Sequence, residues 1–85
     1  MTAKQVTVVN QLGMHARAAA KFVQLAAKYQ SHIRVARDVR EMDGKSIMGL
    51  LLLAAARGTT IRITAEGGDE VEAVSALVAL VQTGF

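Results

Sequence analysis

His15 stands out in this 85-residue chain because it lies between a turn and a run of small and apolar residues. Leu12 and Gly13 precede it, and the alanine-rich pattern from Ala16 onward is typical of an amphipathic helix. His15 therefore takes the N-cap position, where the first helix amides lack intrahelical partners and the helix dipole favours an anion. A neutral imidazole can act as a nucleophile. The spacing indicates a histidine that could carry a phosphoryl group.

Three backbone amides and one side chain would hold a phosphate on His15. The amides belong to Ala16, Arg17 and Ala18, the first residues of the predicted helix, and the Arg17 guanidinium adds a planar cation with several donors. A simpler interpretation is that His15 only caps the helix and that Arg17 is a solvated residue of its first turn. Local spacing alone leaves both interpretations open.

Ser46 is a second candidate site, because it follows Lys45 and precedes an apolar segment. Its hydroxyl is placed to cap a helix that begins at Ile47, and this role alone would explain a serine here. A phosphate on Ser46 would be stabilised by the helix N-terminus and would put about two negative charges beside Ile47, Met48 and Leu51. Exposed, these apolar residues would form a docking patch; buried, they would belong to the core.

The composition argues against several other kinds of chemistry. The chain has no cysteine, which excludes disulfides, thiol nucleophiles and thiolate metal sites. Its two histidines are far apart and no carboxylates cluster beside either of them, so we expect no metal site. Gly67-Gly68 lacks the spacing of a nucleotide-binding loop, so we expect no cofactor. The net charge is only +3, and the arginines are not interleaved with aromatic residues, which disfavours nucleic acid as a partner.

No segment is typical of export or of a membrane span. The N-terminal residues lack the basic start and the apolar stretch of a signal peptide. The longest apolar run, residues 47–56, is well short of the roughly 20 residues that a membrane helix requires. We therefore expect a cytoplasmic protein without membrane insertion.

The periodicity of apolar residues predicts seven elements in the order βαββαβα, within a single domain that spans residues 1–85. Strands with one apolar face and helices with one apolar stripe favour an α+β fold of two layers. Gly58 is expected to end the second helix, and Asp69 with Glu72 predicts a capping box for the third. The third helix would bury Val71, Val74, Leu77, Val78 and Val81. The predicted strands lie at 5–9, 32–36, 40–42 and 60–65, and the predicted helices at 16–29, from 47 to before 58, and from 69 to before 84.

Two segments at a characteristic separation resemble a known family. Residues 12–17, Leu-Gly-Met-His-Ala-Arg, closely resemble the active-site signature of HPr, the histidine-containing phosphocarrier family of the bacterial phosphoenolpyruvate-dependent phosphotransferase system. Residues 44–49, Gly-Lys-Ser-Ile-Met-Gly, resemble its regulatory serine segment, and residues 57–59 and 67–72 match as well. The resemblance covers the whole chain. It implies an open-faced β-sandwich, a four-stranded antiparallel sheet covered on one face by three helices.

The resemblance also implies the roles of the candidate residues. His15 would accept a phosphoryl group from phosphorylated enzyme I, on the ring nitrogen facing the helix amides, and pass it to a histidine of an enzyme IIA domain. Arg17 would steady the phosphate, and Ser46 would be the target of HPr kinase/phosphorylase. The protein would be a monomeric, stoichiometric phosphocarrier rather than an enzyme, serving sugar uptake or a regulatory branch. The residues that match the family's partner surface are Met14, Lys21, Ile47, Met48 and Leu51.

One departure and one alternative accompany this hypothesis. The commonest family pattern has proline after the arginine, whereas position 18 here is alanine, which restores an N–H at the phosphate end of the helix. The alternative, from a different class, is a small regulatory domain that binds a metabolite or a partner and carries no phosphate. Replacing His15 with alanine would leave the activity of such a domain in place.

Overall fold

The alternation of apolar and polar residues produces four strands, and the helical periodicities produce three helices between and after them. These elements appear in the computed structural model, which describes residues 1–85. In chain order they are β1 (Thr2–Thr7), α1 (Ala16–Ala26), β2 (His32–Arg37), β3 (Arg40–Asp43), α2 (Ile47–Leu53), β4 (Thr60–Glu66) and α3 (Glu70–Gln82).

The four strands form one antiparallel sheet with the spatial order β1-β4-β2-β3. The helices cover one face, where Ile61 and Ile63 of β4 and Ile33 of β2 are fully buried. The opposite face carries polar residues such as Gln5 and Arg62, which pair across β1 and β4. This confirms the predicted fold, and none of its helices combines the length and apolar character needed to cross a membrane.

The core is built where the three helices meet the sheet. Phe22 of α1, Leu50 and Leu53 of α2 and Leu77 of α3 are all fully buried within one apolar cluster. Burial of a side chain of this size contributes about 1.5 to 3 kcal/mol. The apolar stripes of the helices therefore fix how α1 and α2 lie on the sheet, and with them the positions of the two candidate sites.

The second helix ends earlier than we predicted. It stops at Leu53, and its C-cap is Ala54 in the left-handed conformation, with φ 55°, rather than Gly58. Tertiary contacts explain this end: the Arg37 guanidinium donates to the Leu53 carbonyl at 2.9 Å, and Arg40 donates to the carbonyl of the preceding residue at 3.1 Å. The two guanidiniums thus donate to carbonyl oxygens that would accept backbone hydrogen bonds if the helix continued.

The predicted capping box of the third helix is wrong. Asp69 is the N-cap residue, but its side chain makes no capping hydrogen bond. Its carboxylate instead accepts from the backbone amides of Gln30 and Ser31 and from the Ser31 hydroxyl, which ties α3 to the connection after α1. The predicted burial of Val71 is also wrong, since 63% of this residue is exposed. The rest of the predicted stripe is confirmed, since Val74, Leu77 and Val81 are fully buried and Val78 is partly buried against the core.

Candidate functional site

His15 caps α1 through its own ring nitrogen. Its backbone is extended, and Nδ1 accepts hydrogen bonds from the backbone amides of Arg17 at 3.1 Å and Ala18 at 3.4 Å. The predicted N-cap position is therefore confirmed. Because Nδ1 is an acceptor in these contacts, the neutral ring carries its proton on Nε2. The unprotonated nitrogen faces the end of the helix where an anion is favoured.

The turn before His15 requires glycine at position 13. Gly13 has φ +66°, and its amide donates to the Asn10 carbonyl at 3.1 Å. A Cβ at this position would lie 2.6 Å from the Ala55 carbonyl oxygen and 2.9 Å from Ala56 Cα. The left-handed backbone and the close approach both require glycine here. The chain can therefore pass tightly under the residues that follow α2 before it enters α1.

The surroundings of His15 offer donors and positive charge. The side chain of Arg17 is exposed and forms no salt bridge, and Ala16 is exposed beside it. The amide of Ala16 donates no hydrogen bond in this structure. The Arg17 guanidinium and the Ala16 amide are therefore both available to an oxyanion attached to His15.

Charge is distributed unevenly between the two ends of α1. Residues 1–37 contain no acidic residue, whereas four of the seven acidic residues fall within residues 66–72. These four lie around the start of α3, which contacts the chain just after α1 ends. One of them is Glu70, where a hydrogen bond from the Thr2 hydroxyl, followed by contacts with the Met1 amine and the Gly67 amide, lowers the pKa to about 2. The His15 end of α1 therefore favours anionic ligands and acidic partners.

Ser46 caps α2 as predicted. Its hydroxyl accepts from the backbone amide of Gly49 at 3.0 Å, and the residue is half-buried. The neighbouring Lys45 is anchored, since its ammonium donates to the Tyr29 carbonyl at 2.7 Å. A phosphate at Ser46 would thus replace a capping oxygen without requiring a new backbone conformation.

The apolar residues beside Ser46 are exposed, which answers a question that the sequence left open. Ile47 is 43% exposed and Met48 65%, whereas Leu51 is half-buried against the core. Leu12 and Leu52, which our sequence analysis did not select, are 76% and 57% exposed. The exposure of Leu12 follows from its place in a turn, and a leucine within a turn is the signal that could have identified it.

Met14 does not lie on the surface, so its predicted place among accessible partner residues is wrong. Only 5% of the residue is exposed, and its side chain belongs to the core. The physical reason is its backbone, which donates to the Ala55 carbonyl at 2.9 Å and draws Met14 under the segment after α2. Lys21 is exposed as expected, with its ammonium 2.8 Å from the Phe85 backbone oxygen.

The larger surface depressions lie away from both candidate sites. Two open grooves follow β1 and β4, and both are lined by Gln5 and Thr60. Neither groove is lined by His15 or Ser46.

Comparison with known proteins identifies relatives over the whole chain. The family model described as the PTS HPr component phosphorylation site matches residues 2–83. The phosphocarrier protein HPr of Pseudomonas aeruginosa is 48% identical over 86 residues, covering 100% of this chain and 96% of that protein. The crystal structure of HPr-C-His from Thermoanaerobacter tengcongensis superposes with a TM-score of 0.96 at 42% identity, covering 100% of this chain and 96% of that one. A crystallised HPr dimer from the same organism gives 0.77 at 42% identity, covering 98% and 95%.

Proposed function

This chain belongs to the HPr family of phosphocarrier proteins of the phosphotransferase system, and we propose that it accepts a phosphoryl group from enzyme I on Nδ1 of His15. It then transfers the group to a histidine of an enzyme IIA domain. The observation that carries this proposal is the unprotonated Nδ1 facing the amides of Arg17 and Ala18.

The chemistry at Nδ1 forms one bond to phosphorus while another breaks. The Nδ1 lone pair attacks phosphorus, and the bond between phosphorus and its donor group on enzyme I breaks, so that the donor group leaves with the bonding electron pair. The new bond consumes the lone pair that had accepted hydrogen bonds from Arg17 and Ala18. Their amides, together with the free amide of Ala16, then become available to the phosphoryl oxygens. The same donors thus serve both states of the carrier.

The Arg17 guanidinium supplies the fixed positive charge of the site. It is exposed and has no acidic partner in the structure, so it is available to bind phosphoryl oxygens in a paired geometry. The first 37 positions contain no acidic residue, so the segment that carries His15 and Arg17 is uniformly basic in its charged residues. Such a field speeds the encounter with acidic partners more than it strengthens the complex.

Phosphorylation in vitro tests the carrier function. We expect incubation with phosphoenolpyruvate and enzyme I to place acid-labile phosphate on His15, and His15→Ala to remove it. His32→Ala is the matched control, because His32 is the other histidine and is exposed on β2. Labelling that survives in His15→Ala, or no labelling with a competent enzyme I, would contradict the proposal. The second result would favour a binding domain that carries no phosphate.

We also propose that Ser46 is a regulatory phosphorylation site for HPr kinase/phosphorylase. The added charge would lie beside Ile47 and Met48, whose exposed side chains offer apolar contact to partners. ATP and the kinase should give acid-stable phosphate that Ser46→Ala lacks, and Ser75→Ala, an exposed serine of α3, should be labelled normally. Equal labelling of Ser46→Ala would remove the assignment.

The partner surface in this proposal consists of Lys21, Ile47, Met48 and Leu51. Met48→Ser should raise the KM for enzyme I and leave the free energy of unfolding nearly unchanged, because 65% of Met48 is exposed. Val71→Ser, at an equally exposed position on α3, should change neither quantity. A KM that is the same for both variants would place the docking surface elsewhere.

We propose that the working form is a monomer, since His15, Arg17 and the helix amides of the site all come from one chain. Light scattering at the concentrations of the transfer assay tests this. A dimer that persists on dilution would contradict it.

A further inference from the structure

The side chain of Asn10 lies against the turn that presents His15. Its Nδ2 donates to the carbonyl oxygen of Gly13 at 2.7 Å, while the Asn10 backbone carbonyl accepts from the Gly13 amide at 3.1 Å. The two contacts close a small ring over residues 10–13. Only the NH2 group of an amide can donate to a carbonyl, so this contact fixes which way the Asn10 amide points.

The Gly13 carbonyl connects Asn10 with His15. The same oxygen accepts a hydrogen bond from the His15 backbone amide at 2.9 Å. The position of this oxygen therefore sets the position of the His15 backbone, and through it the placement of the imidazole over the amides of Arg17 and Ala18.

The peptide group between Gly13 and Met14 is held at both ends. Its carbonyl accepts from Asn10 and His15, and its N–H donates to the Ala55 carbonyl at 2.9 Å. Glycine allows a wide range of backbone angles, so a peptide group beside it can rotate unless contacts prevent it. Asn10 supplies the only side-chain hydrogen bond to this peptide, and that bond opposes its rotation.

The other polar atom of the Asn10 side chain has no partner. Oδ1 is buried and accepts no hydrogen bond within the protein. A buried unpaired oxygen is destabilising, so packing alone would favour an apolar side chain of the same shape. The donor function of Nδ2 explains why an amide is useful at this position.

From these contacts we infer that Asn10 is a positioning residue for phosphoryl transfer at His15, an inference that rests on the proposed function. Asn10 does not touch the transferred group. It fixes the Gly13–Met14 peptide by a hydrogen bond, and this peptide in turn fixes the His15 backbone. The His15 backbone then directs Nδ1 towards the helix amides. Removing the Nδ2 donor should therefore slow phosphoryl transfer without lowering the stability of the fold.

Asn10→Leu tests the inference, because leucine has a similar branched shape but neither the donor nor the unpaired oxygen. We expect its kcat for phosphorylation by enzyme I to fall about tenfold, since a small displacement of a reacting group has a large effect on rate. The KM for enzyme I should stay the same. The melting temperature should be unchanged or higher. Ser31→Ala, which removes a buried hydrogen bond at the opposite end of α1, is the control and should keep the wild-type kcat.

NMR gives a second measurement that does not depend on transfer. The scalar coupling across the hydrogen bond between the Arg17 amide nitrogen and His15 Nδ1 should weaken in Asn10→Leu and in Asn10→Asp, and remain in Ser31→Ala. Wild-type coupling together with a kcat within about twofold of wild type in Asn10→Leu would overturn the inference. If the wild-type protein accepts no phosphoryl group but Asn10→Leu loses the coupling, the proposed function fails and the positioning of His15 by Asn10 is supported.

Discussion

The backbone amide of Met14 donates to the carbonyl of Ala55 at 2.9 Å, which joins the turn before His15 to the segment after α2. Met14 is buried by this arrangement, and Gly13 passes close under the same segment. His15 and Ser46 therefore belong to neighbouring parts of one packed unit, in which α2 carries Ser46 at its start and supports the His15 turn beyond its end.

Gly13→Ala should destabilise the protein and disturb the His15 turn. A left-handed conformation costs a residue with a Cβ about 1 to 2 kcal/mol, and the close approach to backbone atoms of Ala55 and Ala56 adds to this. We expect the free energy of unfolding in urea to fall by at least about 2 kcal/mol. Gly68→Ala is the control, because its Cβ would meet no atom within 4 Å. Equal stability of the two variants would show that the turn accommodates a side chain.

Ala54→Gly should stabilise the protein. Ala54 ends α2 with φ 55°, a left-handed conformation that glycine adopts without steric cost. The gain in the free energy of unfolding should be about 1 kcal/mol after the greater backbone entropy of glycine in the unfolded chain is deducted. Ala56→Gly, two residues on and outside the left-handed region, should be destabilising instead. Thermal unfolding of the two variants compares them directly, and a loss of stability in Ala54→Gly would contradict the prediction.

The sequence was sufficient to predict the order of the elements, the sheet and both capping residues. Each of these depends on local patterns: the alternation around Ile33, the helical spacing of Phe22, and the polar residues His15 and Ser46 immediately before apolar runs. The resemblance of two short segments then identified the family, which the comparison of complete chains established.

Features that depend on distant contacts could not be predicted in this way. Asp69 matches a capping box locally, but the chain near Ser31 offers its carboxylate several donors from 38 residues away. The end of α2 is likewise set by Arg37 on another element. Met14 is buried because of its contact with Ala55, and the hydrogen bond of Asn10 to Gly13 depends on the conformation of a turn that the sequence predicted only as a turn.

Glu70 should make the stability depend on pH in the acidic range. Its pKa is about 2 in the folded protein against a usual value of 4.5, chiefly because of the hydrogen bond from Thr2. The unfolded chain then binds the proton more tightly, so this stabilisation is present above about pH 4.5 and is lost as the pH falls towards 2. The pKa of Asp69 is also lowered, chiefly by the hydrogen bond from the Ser31 hydroxyl, so Asp69 likewise contributes stability that is lost in acid.

Glu70→Gln separates this contribution from general acid unfolding. Wild type should exceed the variant in the free energy of unfolding at neutral pH, and the difference should shrink as the pH falls below 4.5. Glu72→Gln removes the same charge from an exposed neighbour that lacks these hydrogen bonds. The pH dependence of its free energy of unfolding should match that of the wild type. A difference between wild type and Glu70→Gln that does not vary with pH would contradict the assignment.

Ala18→Pro tests how much of the site depends on the second helix amide. Proline is tolerated in the first turn of a helix, and its restriction of the unfolded chain should stabilise the protein by up to about 1 kcal/mol if the local backbone angles fit. Proline lacks the N–H that Ala18 donates to His15 Nδ1. This hydrogen bond is the longer of the two to Nδ1, at 3.4 Å against 3.1 Å from Arg17. Because the shorter contact remains, the rate of phosphorylation by enzyme I should stay close to that of the wild type. Arg17→Ala is the comparison, since it keeps both amides and removes the guanidinium, and it should slow transfer strongly. If Ala18→Pro slows transfer as much as Arg17→Ala does, the Ala18 amide is itself required by the phosphoryl group.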